Sequence, residues 1–202
     1  MERSAAAFAH EGRIWLVDPL RPAPPDGEFA ALGRVHGVVM TVPWHDRDVA
    51  WFATLHGVPV YVAGWLGQVR LRARVAYVGA RVPDSPLELV DAGGRGMLAW
   101  WKEVAVWWPA HRALYAGDAL GRASYFVRPG ERLAVHPLRR LSPPDQLAEL
   151  RPAHIYCGHG SSLEAGAAEA LDEALRTARS ALVPSWLHGA RVSARRLWAR
   201  LR

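Results

Sequence analysis

The chain has 202 residues, half of them apolar, which suits one domain of ordinary size with a sizeable core. No uncharged apolar run reaches the roughly 18 residues of a membrane-spanning helix. The Ala-rich stretch Ala5 to Ala9 is cut short by His10 and Glu11, without the apolar centre of an export signal, and the single cysteine, Cys157, rules out an intramolecular disulfide, so a soluble cytoplasmic protein is expected. The net charge of +6 is uneven: residues 176 to 202 carry seven arginines and no acid, which leaves the body close to neutral and gives no strong nucleic-acid signal.

In chain order, Ile14 to Val17 is a short branched apolar run that stops at Asp18-Pro19, as a strand entering a turn does. A Pro-rich turn spans Arg21 to Gly27, and Val35 to Val42 reads as a buried strand stopped by Pro43. Asp46 offers an N-cap to a helix carrying Val49, Phe52 and Leu55, with Gly57 placed to end it, and Val58 to Ala63 is a further strand. Val69 to Val82 alternates apolar residues with arginine, which predicts long strands exposed on one side. Glu103 to Trp108 and Ala113 to Ala116 predict a hairpin around Pro109 to Arg112, ending at Gly117-Asp118. In the pairs Trp100-Trp101 and Trp107-Trp108, neighbours on a strand must face opposite ways. Ser142-Pro143-Pro144 starts a short helix, and His154 to Cys157 is a brief strand ending in Gly158-His159-Gly160, which predicts a buried thiol at Cys157. Ser161 and Glu164 form a capping box for a helix with Leu171, Leu175, Ala178 and Leu182 on one stripe, which Pro184 separates from a last amphipathic helix. The implied organisation is a domain over residues 1 to 182 and a basic helical tail over 183 to 202.

Three strand ends therefore deliver polar clusters: Trp44-His45-Asp46-Arg47-Asp48, Gly117-Asp118 and Gly158-His159-Gly160. Their order and separation, together with Val17-Asp18-Pro19, resemble the metallo-β-lactamase superfamily across about residues 10 to 182. The resemblance implies a four-layer αββα sandwich and a metal-dependent, hydrolase-like site. In that family a strand ending in Thr is followed by His-x-His-x-Asp-His. Setting Thr41 on the family's Thr puts Asp46 on the motif Asp and places Val42, Trp44 and Arg47 on the three histidines, so the motif is degenerate. The family's further upstream histidine has no counterpart, and Ala92 to Gly96 offers Arg95 instead.

The residues that remain imply at most a mononuclear site, because two zinc ions need more nitrogen ligands than this set supplies. Two readings stay open. In one, a single divalent ion, zinc, manganese or iron, is held by Asp46, Asp118, His159 and His45, with Asp46 or Asp48 as the base acting on a metal-bound water. In the other the protein is a metal-free pseudoenzyme or a module for an anionic ligand, in which Arg47 replaces the metal charge, Arg95 is a further anion contact and Trp44 fills part of the cavity. A small-molecule or anionic ligand fits either reading. The basic C-terminal helix is a candidate for membrane contact or self-association.

Overall fold

Strands β1 (Ala6–His10) and β2 (Arg13–Val17) form an antiparallel pair, and β3 (Arg34–Met40), β4 (Val60–Ala63) and β5 (Val75–Val78) add in parallel to give a five-stranded sheet in the order β1-β2-β3-β4-β5. The fold is that of a computed structural model that describes residues 2–21, 29 and 31–200, with the backbone alone at residue 47 and residues 193–200. A second sheet, in the order β11-β8-β7-β6, contains β6 (Glu88–Asp91), β7 (Val104–Trp108), β8 (Ala113–Ala116) and β11 (His154–Cys157); a small ribbon pairs β9 (Leu120–Gly121) with β10 (Ala134–Val135). Among the described elements, two helices flank the sheets, α1 (Asp46–His56) against β3 and β4, and α2 (Ala167–Thr177) on the second sheet. A third, α3 (Leu182–Arg200), follows it.

Period-two alternation explains the layering. Val104, Val106 and Trp108 of β7 face the inner core with Ile14, Leu16, Val38 and Val62, whereas Ala105 and Trp107 face the outer core with Leu114, Ile155, Leu171 and Leu175. The Trp107-Trp108 pair is therefore split between two cores, as the strand geometry requires, and Trp100 is exposed while Trp101 is buried. Cys157 lies in the outer core, where burial pushes its thiol pKa up to about 12, away from any role as a nucleophile.

Several expectations about elements need correction. The arginine-alternating stretch from Val69 yields only β5, because its partner β4 is four residues long and the ladder Val60 to Ala63 with Val75 to Val78 can extend no further. Strand β1 and strand β6 had no sequence signal of their own strong enough to be expected. Ser161 and Glu164 do not cap α2, which starts at Ala167 behind Gly166 at φ 62°; instead Leu163 bridges to Ile155 and Arg122 holds Ser161 and Ser162, so tertiary partners take those backbone groups. Pro184 does not break the chain but lies in the first turn of α3, where its missing N–H costs nothing.

Candidate metal centre

Each polar cluster sits beyond the C-terminal end of a strand. Parallel β2 and β3 deliver Asp18 and the Thr41 to Asp48 segment, and parallel β8 and β11 deliver Asp118 and His159 to the same edge of the sandwich. The approach is close. A Cβ on Gly158 would come within 2.3 Å of the Gly117 carbonyl oxygen, and one on Gly117 within 2.5 Å of Thr41 Oγ1, so both strand ends can meet only as glycine.

His45, Asp118 and His159 converge here, with one donor atom of each within 4.8 Å of the others. His159 Nε2 is 2.9 Å from Asp118 Oδ1, and His45 Nε2 is 3.4 Å from the same oxygen. Each ring has an acceptor behind it. His159 Nδ1 lies 2.9 Å from the Glu2 carbonyl oxygen, which can only accept, so Nδ1 donates and Nε2 is the atom offered to the centre; Phe126 stacks on the ring. His45 Nδ1 lies 3.1 Å from Asp18 Oδ2. Asp18 is fixed in turn by the Thr41 N–H at 3.0 Å, by the Thr41 hydroxyl and by the Tyr115 hydroxyl at 3.3 Å. This is the outer-partner pattern that orients imidazole ligands.

Burial opposes charge on His45, but Asp18 and Asp118 on either side outweigh it and raise its pKa to about 10. Burial likewise opposes ionisation of Asp118, yet His159, His45 and Trp44 hold its carboxyl well below the usual carboxylate range. Trp44 closes the other side of that carboxylate, its indole N–H donating to Asp118 Oδ2 at 2.6 Å. That hydrogen bond takes one lone pair of Oδ2 and competes with a second ion for this oxygen. Behind the site, fully buried Glu103 accepts from the backbone N–H groups of Asp118 at 2.9 Å and Ala119 at 2.7 Å, and from the Trp101 indole at 2.8 Å. Burial first, and then the neighbouring Asp118, raise its pKa to about 7.

The expected site residues thus separate. His45, Asp118 and His159 meet, and Trp44, 39% exposed, touches Asp118. Asp48 lines a cleft of about 30 Å³ with Asp18, His45 and His159, roughly the room one ion or water needs, and is paired with Arg21 at 2.7 Å. Asp46 is exposed in the first turn of α1, outside the cluster, because the turn after Thr41 presents His45 to the centre instead. The side chain of Arg47 lies outside the described residues. Arg95 lines a separate polar cavity with Ser142, Asp145 and Arg179. Asp18, Thr41, Tyr115 and Glu103 were not identified as site residues from the sequence. Asp18 was visible there only as a turn, and Glu103 only as the acid heading an apolar strand.

No protein-family model matches the chain and no curated protein sequence does. Solved structures do. The chain is similar to a metallo-β-lactamase from Pontibacter korlensis (14% identity, TM-score 0.61, covering 88% of this chain and 87% of that one). It is also similar to the metallo-β-lactamase FIM-1 from Pseudomonas aeruginosa in its mono-zinc form (16%, TM-score 0.55, 90% and 85%). A third likeness is to a chemotaxis sensor, ODP, described as a peroxy diiron species (13%, TM-score 0.59, 88% and 86%).

Proposed function

We propose, from the premise that this chain has the metallo-β-lactamase fold, that the His45–Asp118–His159 cluster binds a single divalent metal ion and supports metal-assisted hydrolysis. The observation that carries this reading is the convergence of two imidazole donors and one carboxylate, with the His159 ring fixed from behind by the Glu2 carbonyl and the Asp18 carboxylate lying behind His45. The donor set fits an ion: two nitrogens and one oxygen suit zinc, iron or manganese, and leave positions for water or substrate. Trp44 on Asp118 Oδ2 supports one ion rather than two, and the mono-zinc form of FIM-1 supplies an example of one ion on the same fold.

A bound ion would supply an activated water and polarise a substrate oxygen. The chain's own residues set the rest. Asp18 lies behind His45, Glu103 holds the Gly117 to Ala119 turn, and Asp48, which lines the cleft and is paired with Arg21, would accept a proton there once that pair opens. Elemental analysis of the full chain purified without added metal, together with hydrolysis of ester, thioester, phosphodiester and lactam reporters, tests this. About one ion per chain, lost in Asp118→Ala and His159→Ala along with any hydrolysis, is expected. A chain that binds no zinc, iron or manganese even when titrated with them would overturn it.

A second reading is favoured by one specific observation. Without an ion, His45 carries the positive charge between Asp18 and Asp118, so the network is compensated as a metal-free ion-pair cluster, and the charge assigned to Arg47 from the sequence is supplied by His45. The same metal analysis separates the two readings.

A further inference from the structure

We propose that the exposed face of α3 docks the protein on an anionic lipid bilayer surface. The inference is independent of the metal centre. On the described part of α3, Val183, Trp186, Leu187 and Ala190 recur at i, i+3, i+4 and i+7 and are all exposed, the first three by 63%, 54% and 57%. The opposite face is already used: Ser185 is buried, and Gly189 packs toward Tyr125. The helix is tied to the body at the edge of the stripe, where the Trp186 indole N–H donates to the Pro137 carbonyl at 3.3 Å while Trp186 stays just over half exposed, and exposed Leu138 lies beside it to widen the apolar surface. The sequence continues the same period at Ala194, Leu197 and Trp198.

Charge selects the occupant. Residues 176 to 202 carry seven arginines and no acid, so two copies meeting through this face would bring like charges together with no acid of the same segment to offset them. Nucleic acid would satisfy the arginines but leave Val183, Trp186 and Leu187 in water. An anionic bilayer satisfies both, taking the apolar stripe and the aromatic ring into the headgroup boundary while arginines meet lipid phosphates. No helix among the described residues is long and apolar enough to cross a membrane, so the helix would lie on the surface rather than span it.

Flotation of the full chain with phosphatidylcholine vesicles, with and without phosphatidylglycerol, tests the proposal. Binding to the mixed vesicles only, weakened by salt, is expected. Leu187→Glu should abolish it and Arg191→Glu should reduce it by about fivefold or more, with both variants keeping the parent's circular dichroism melt. Equal binding to neutral vesicles, no binding to either, or binding that survives Leu187→Glu overturns the proposal. So does a dimer seen by light scattering, or duplex DNA binding, that Leu187→Glu abolishes while vesicles are ignored.

Discussion

His45 and Glu103 are two side chains at the site whose surroundings move them far from their ordinary ionisation, and they shape how the site responds to pH. His45 is raised from 6.5 to about 10, so in the metal-free protein its contribution to stability is complete below pH 6.5 and is lost as pH climbs toward 10. Glu103 is raised from 4.5 to about 7, so the fold favours its neutral form and stability also declines from pH 4.5 until the acid ionises near 7. Thermal melts of metal-stripped protein should therefore show a Tm that falls between pH 6.5 and 10. Zinc should restore more of it at the alkaline end, because the ion must displace the His45 proton and binds more tightly as that proton is given up. Glu103→Ala leaves two N–H groups, an indole and the neighbouring Arg139, 3.9 Å away, without their carboxylate. A loss of about 3–5 kcal/mol in urea unfolding is expected. Glu103→Gln, which keeps an acceptor for the two backbone donors, should lose less.

Strand ends and helix faces set the next level. The sequence places Asp46 on the motif position with His45 as its neighbour, and the structure turns His45 toward Asp118 and His159 and leaves Asp46 exposed. Residue types could not reveal that, since a shift of one position in a loop is invisible to spacing and decisive for direction. Gly158 illustrates how tightly the two parallel strand pairs are drawn together. Gly158→Ala places a methyl against the Gly117 carbonyl oxygen, so the variant should unfold at a markedly lower temperature and lose metal in the same measurement. By contrast Leu171→Ala on α2, fully buried on the outer face of the second sheet, should cost about 2–5 kcal/mol while leaving metal stoichiometry unchanged, because the outer core supports the sheet and not the cluster.

At the scale of the whole molecule, the centre is closed by the start of the chain. The Glu2 carbonyl meets His159 Nδ1, the Ser4 N–H donates to the Gly158 carbonyl at 2.8 Å, and the Ser4 hydroxyl donates to the Gly160 carbonyl at 2.9 Å. Removing residues 2 to 4 should weaken zinc binding by about 10- to 100-fold, the range for loss of an outer partner to a ligand histidine, as read by calorimetry. The sequence by itself determined the hairpin of β7 and β8, the end of α1 at Gly57, and the presence of Asp118 and His159 at strand ends, because alternation, turn residues and Gly-Asp or Gly-His-Gly endings are local signals, while the sandwich class rested on the family resemblance that the order of those endings carries. Only the tertiary structure decided that His45 turns inward, that Trp44 caps Asp118, and that Asp18, Glu103 and the chain's first residues complete the site. Those parts are set by contacts between segments distant in sequence, whose energies depend on direction and distance in space and leave no mark on the spacing of residue types.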